Sequence, residues 1–211
     1  MRKISGITFH LYHYAGNNPV KYIDPDGRII IPVDQKYNNI YQQNYPDAFW
    51  PDNKLDSIIE TGCSLIAAER VFNTIFNYFY SSDDCPYFKD GINMLQDSRV
   101  ATKDGFIFKG LEGYFSDSFI GVSIMDYNNV LDERLSSIEE ADSLYCVIGK
   151  LKGESHFINI NSFNSEDNTF NGFDTSLRVN KPKRDLCNTP VTQLERIIVI
   201  QVKTKGDNDA Y

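Results

Sequence analysis

The chain is poor in histidine and cysteine and short of positive charge. Three histidines occur in 211 residues, and after His13 the only one is His156. Four cysteines, Cys63, Cys85, Cys146 and Cys187, stand far apart, with no CxxC pair and no His-rich spacing. Zinc sites need clustered ligands, so neither a metal nor any other cofactor is expected. Two disulfides can be drawn from four cysteines, but a chain of this length buries a core without them. Long apolar runs are also missing. Ile197-Ile-Val-Ile200 falls far short of the roughly 20 residues that a membrane-spanning helix needs. Met1-Arg-Lys3 is followed by a stretch interrupted by Ser5-Gly6 and then by His10 and Tyr12, not a continuous apolar run, so no signal peptide is expected.

Lys and Arg number 21 against 29 Asp and Glu, for a formal net charge of −8. The first 28 residues hold four basic and two acidic side chains, and the remainder holds 17 and 27. Phosphate backbones are held by clustered Lys and Arg, so a nucleic-acid partner is disfavoured. The one basic run, Lys181-Pro-Lys-Arg184, is expected to be a solvated loop. Aromatic residues are plentiful, with 13 Tyr and 14 Phe. That composition argues for a folded, soluble globular chain.

Tyr12-His-Tyr-Ala-Gly-Asn-Asn-Pro-Val-Lys-Tyr-Ile-Asp-Pro-Asp-Gly27 contains two strong turn signals, Gly-Asn-Asn-Pro and Asp-Pro-Asp-Gly. Residues 10–28 resemble the motif that ends the core of RHS/YD-repeat proteins, after which a variable C-terminal domain follows. The resemblance implies a tail and linker over residues 1–30 and a variable domain over residues 31–211. Such domains are often toxins or effectors, delivered out of the producing cell and matched by a cognate immunity protein. A cassette without its shell would stay cytoplasmic. Read from the residues alone, the same segment is a leader strand and linker.

Residues 32–53 are rich in Asn, Gln, Tyr, Asp and Pro without a period, as in a wrapping loop, with Phe49-Trp50 as an apolar anchor. Leu65, Ala68, Val71, Phe72, Ile75, Phe76 and Phe79 then recur at three- and four-residue spacing, which predicts an amphipathic helix from Cys63 to Tyr80. A shorter helix is expected over Asp90–Asp97, a strand or turn at Gly105–Lys109, and a polar helix or loop over Ser136–Ser143. Leu144–Leu151, Ser155–Asn161, Thr169–Asp174 and Leu194–Lys203 are strand candidates. Helices first and an antiparallel sheet second is an α+β layout.

Chemistry points to Cys63. Following Gly62, it opens the long helix, where unpaired amides and partial positive charge favour a thiolate. A small apolar residue packed at the helix base is the alternative. By contrast, Cys146 lies in the apolar run Leu144–Ile148 and is expected to be buried and inert, while Cys85 and Cys187 resemble exposed turn residues. His156 is the only imidazole available to residues 29–211, and it starts a strand after the turn Lys152-Gly-Glu154. A hairpin centred on Ser165 puts His156 directly opposite Asp174, Ile158 opposite Gly172 and Ile160 opposite Phe170. Asn159, Asn161 and Asn171 then point to the other face, which leaves Asp174 to fix the tautomer of the ring.

Gly62-Cys-Ser-Leu-Ile-Ala-Ala-Glu-Arg-Val-Phe-Asn73 resembles the nucleophile helix of papain-like cysteine peptidases, notably the bacterial leader-peptidase-like branch. Ser155-His-Phe-Ile-Asn-Ile160 is similar to its His strand, and Gly172-Phe-Asp174 to its Asp strand. The resemblance implies a helical half packed on a small antiparallel sheet, with a Cys63–His156–Asp174 triad between them. It implies a thiol hydrolase or acyl transferase acting on a peptide or protein. Two positions depart from the pattern. No Gln stands in Asn53–Glu60, where the family carries its oxyanion donor, although Gln42 and Gln43 lie farther upstream. Thr175 replaces the Pro that often follows the Asp. Losing one oxyanion donor costs on the order of 100- to 1000-fold in rate. A catalytically inactive papain-like binding or structural domain is therefore the second hypothesis.

Overall fold

Between Cys63 and Ile75 apolar side chains are too many for one helical face, and that stretch of helix is enclosed. The computed structural model describes residues 30–33, 40–79, 90–118, 120–139, 144–176 and 184–203. Among the described residues the first α-helices are α1 (Ile58–Thr61) and α2 (Cys63–Phe79). Every residue of α2 from Cys63 to Ile75 is buried, Glu69, Arg70, Asn73 and Thr74 included. The sequence predicted an amphipathic helix, but the segment before α1 covers the polar face as well. Tyr45 donates its hydroxyl to the Glu69 carboxylate at 2.6 Å, and Arg70 donates to the Ile40 carbonyl from both Nε and Nη2. Trp50 is buried and donates from Nε1 to Thr61 Oγ1 at 2.9 Å, whereas Phe49 is exposed.

Next come α3 (Asp90–Gln96), a hairpin of β1 (Ala101–Thr102) and β2 (Gly105–Phe106), and α4 (Leu111–Ser116). Gly105 has φ 117°, a conformation open to glycine and costly for other residues, so the expected strand or turn is a tight hairpin. The rest is β3 (Val122–Tyr127), α5 (Leu131–Glu139), β4 (Leu144–Leu151), β5 (Phe157–Asn164), β6 (Thr169–Asp174), β7 (Thr189–Pro190) and β8 (Leu194–Val202). Strand β3 lies where the sequence predicts no strand. Helix α5 starts five residues before the expected Ser136, because Leu131, Leu135 and Ile138 share one buried stripe.

Six strands form one antiparallel sheet in the order β3-β8-β4-β5-β6-β7. Its central strands are apolar on both faces. Cys146, Ile148, Ile198 and Ile200 join the core that contains Leu65, Val71, Phe72 and Ile75 of α2. Val147, Ile197 and Val199 join Leu131, Leu135 and Ile138 of α5. Coverage of both faces explains why β4 and β8 read as continuous apolar runs rather than alternating ones. The architecture is α+β, with helices on both sides of an antiparallel sheet. Residues 10–28, Cys85 and the side chain of Phe79 lie outside the described residues.

Candidate active site

Gly62 joins α1 to α2 with no room for a side chain. A Cβ there would lie 2.4 Å from Ile58 Cγ2 and 2.6 Å from the Ile58 carbonyl oxygen. This close approach sets Cys63 as the first residue of α2, with its amide at the helix N-terminus. Cys63 is a free thiol, 4% exposed. Its Sγ donates to the Ser155 carbonyl at 3.5 Å, so the sulfur lies against the turn between β4 and β5. His156 follows Ser155, and the Cys63 thiol is near enough to its ring to help raise the pKa of the imidazole.

Asp174 contacts that ring directly. His156 Nε2 and Asp174 Oδ1 are 2.6 Å apart, with 16% of the histidine side chain and 1% of the aspartate side chain exposed. The strand register that brings them together differs from the sequence expectation. Asp174 pairs with Ile158, Asn159 with Phe173 and Ile160 with Gly172; beyond a one-residue shift, Phe163 pairs with Phe170 and Asn164 with Thr169. The connection spans Ser165 to Asn168, with Asn168 at φ 54° and a bulge at Asn161, instead of a tight turn on Ser165. The net displacement is two positions. An even displacement preserves the face, so Asp174 becomes a diagonal neighbour of His156, and diagonal neighbours are within reach of a long side chain.

Charge is arranged accordingly. Burial raises the Asp174 carboxyl, but hydrogen bonds from His156 and the Ser176 amide, with the charges of His156 and Arg184, carry it below its ordinary value. An ionised Asp174 accepts, so His156 Nε2 is the donor and Nδ1 is left for the sulfur. For His156, burial opposes the cation, while Asp174 and Cys63 outweigh it and push the pKa up to about 9. Cys146 is buried, and desolvation pushes its thiol up to about 12. Cys187 is exposed, and the neighbouring Asp185 raises its thiol too.

The asparagines weighed as alternative ring partners are engaged elsewhere. Asn159 donates to the Ala67 carbonyl at 3.0 Å, Asn161 accepts from the Val33 amide, and Asn171 donates to Ser162. Gln42 is buried, but its Nε2 donates to the carbonyls of Ile58 and Ile59, at 3.2 and 3.5 Å. Gln43 Nε2 donates to Ser176 Oγ at 3.4 Å. Thr175 Oγ1 donates to the Phe157 carbonyl at 2.7 Å, tying the end of β6 to the start of β5.

Two residues near Asp174 were missed from the sequence. Arg70 donates from Nη1 to the Asp174 carbonyl at 2.9 Å and to Asn159 Oδ1 at 3.4 Å. Its signal was a charge inside an otherwise apolar helical stretch, which demands partners once buried. Arg184, assigned to a solvated loop, is 14% exposed and lies against Asp174 and Glu154. Nothing local marks it, since its partners come from two other segments.

Among the described residues, no group of three or more His, Cys, Asp or Glu is placed to hold a metal ion. Among them, too, no helix is long and apolar enough to cross a membrane. The chain matches no known family model and no curated protein sequence.

Proposed function

We propose that the chain is a thiol hydrolase or acyl transferase of the papain-like type, with Cys63 as nucleophile. The observation that carries this reading is an imidazole paired with a buried carboxylate, next in sequence to the carbonyl on which a helix-opening thiol rests. His156 takes the thiol proton at Nδ1, and Asp174 at Nε2 stabilises the imidazolium that results. The thiolate attacks an acyl carbon, and the amide of Cys63 at the start of α2 donates to the developing oxyanion. His156 then returns its proton to the leaving amine as the C–N bond breaks. Water or an acceptor amine, deprotonated by the same ring, releases the acyl group and regenerates the thiol. The substrate class is a peptide or isopeptide amide, or a glutamine side chain.

The resemblance of residues 10–28 to the end of an RHS core supports an effector or toxin role for residues 31–211, with a cognate immunity protein as partner. A second reading is favoured by one observation. The side-chain amides of Gln42 and Gln43 donate to Ile58, Ile59 and Ser176, so neither is free in this conformation to stabilise an oxyanion. On that reading the papain-like frame is a binding or structural domain without chemistry.

Iodoacetamide labelling across pH tests the dyad. Cys63 should label fastest of the four thiols near neutral pH, and His156→Ala should slow it about tenfold or more at roughly pH 6 to 7. Dominant labelling of Cys85 or Cys187, with no effect of the histidine change, removes the hydrolase reading. Labelling that depends on His156, with no acyl-enzyme formed on activated esters, favours the binding domain.

A further inference from the structure

The two oxygens of Asp174 are treated differently. Oδ1 accepts from His156 Nε2 and from the Ser176 amide, the latter at 3.0 Å, whereas the buried Oδ2 accepts no hydrogen bond. A buried carboxylate oxygen without a donor is costly unless an opposite charge faces it. Arg184 supplies that charge. Its Nε stands 3.6 Å from Oδ2, too far for a good hydrogen bond and close enough for an ion pair.

Arg184 is itself held. Its segment runs beside β6, where the Gly172 amide donates to the Leu186 carbonyl at 3.1 Å and the Asn188 amide to Asn171 Oδ1 at 2.9 Å. Its Nη2 donates to Glu154 Oε2 at 2.6 Å. Glu154 lies in the turn between β4 and β5, two residues before His156. One guanidinium therefore links the strand that ends in Asp174 to the turn that presents His156.

We propose that Arg184 is a positioning residue of the Cys63 site, which with Glu154 holds the Asp174 carboxylate turned so that Oδ1 faces the His156 ring. This inference rests on the reading of Cys63 and His156 as a reactive pair. The terminal torsion of an aspartate is broad and roughly two-fold, so nothing in the side chain itself prefers one oxygen for the ring. The cation on one side and the imidazole on the other break that symmetry. Without Arg184, Oδ2 is buried with no compensating charge and Asp174 takes a proton more readily. A protonated Asp174 no longer stabilises imidazolium.

The test is the rate of Cys63 alkylation by iodoacetamide on the full chain, followed from about pH 4 to about pH 9. Arg184→Gln should lower the rate about tenfold near pH 6, the loss of one charge-assisted contact, and move the acid limb to higher pH. Arg184→Lys should restore the acid limb, because the charge remains, with only part of the rate, because an ammonium cannot span Asp174 and Glu154 as the planar guanidinium does. Glu154→Gln, at a half-exposed side chain, should move the limb the same way by less.

An acid limb that stays in place in Arg184→Gln overturns the proposal, as does an equal loss in the Gln and Lys variants with no shift. Should Arg184→Gln fail to fold, the Glu154→Gln profile decides, and an unmoved limb there overturns it as well. Failure of the underlying reading looks different: His156→Ala would then leave the wild-type rate unchanged, whatever Arg184 does.

Discussion

Arg70, two turns along the helix that Cys63 opens, donates to the backbone carbonyl of Asp174 at 2.9 Å. The same guanidinium holds the Ile40 carbonyl and lies 5.1 Å from the ring centroid of Tyr41. Helix α2, strand β6 and the covering segment are thus joined through one fully buried cation. Asn159 adds a second tie by donating to the Ala67 carbonyl of the same helix. Together they set how far the start of α2 stands from the end of β6, and so where the thiol stands relative to the imidazole.

Replacing Arg70 with Ala should therefore be among the most destabilising single changes. It strands the carbonyls of Ile40 and Asp174, at about 1–3 kcal/mol each. Chemical denaturation should show a midpoint shift worth at least about 3 kcal/mol. A loss below about 1 kcal/mol would mean that water satisfies both carbonyls and that the clamp is dispensable.

The His156 pKa, raised to about 9, makes stability depend on pH with a definite sign. Its stabilisation is fully present below about pH 6.5, the ordinary value, and is lost as pH rises through about 9. Asp174 acts in the opposite sense. Its pKa is lowered, so its contribution is present above the ordinary carboxylate value and lost as pH falls through the folded one. The pair is strongest between these limits. Urea midpoints should be higher near pH 6 than near pH 9.5 in the wild type, with a smaller difference in Cys63→Ala. NMR titration of that variant should place the His156 pKa below about 9 but above 6.5, since Asp174 remains. A value unchanged by the loss of Cys63 would show that the sulfur does not interact with the ring.

Gly62→Ala should disturb the thiol without touching it. The new Cβ would lie 2.4 Å from Ile58 Cγ2 and 2.6 Å from the Ile58 carbonyl oxygen, so α1 and α2 must part. We expect a loss of about 1–3 kcal/mol, in the range of overpacked cores. Labelling of Cys63 should lose its dependence on His156 in the same variant. Wild-type stability together with wild-type labelling would mean that the junction relaxes freely.

Much of this arrangement is legible in the chain before it folds. The three- and four-residue spacing from Leu65 to Ile75 specifies α2, and the bounds of β4 and β6 coincide with the predicted runs Leu144–Leu151 and Thr169–Asp174. Charge, the scatter of cysteines and the single late histidine narrow the candidate chemistry to Cys63 and His156. These are local or compositional properties, set by periodicity and by which side chains exist at all. Register is not local. The turn from Ser165 to Asn168 and the bulge at Asn161 moved Asp174 two places from its expected partner, and only the even size of that move kept it on the ring's face. The burial of Glu69 and Arg70 depends on a covering segment 24 to 30 residues upstream. Arg184 depends on contacts with Glu154 and Asp174, made from a segment whose composition pointed to solvent. Side-chain periodicity says which face of an element is apolar, while the partner that covers the other face, and the atom a charge meets there, are decided only when distant segments close on one another.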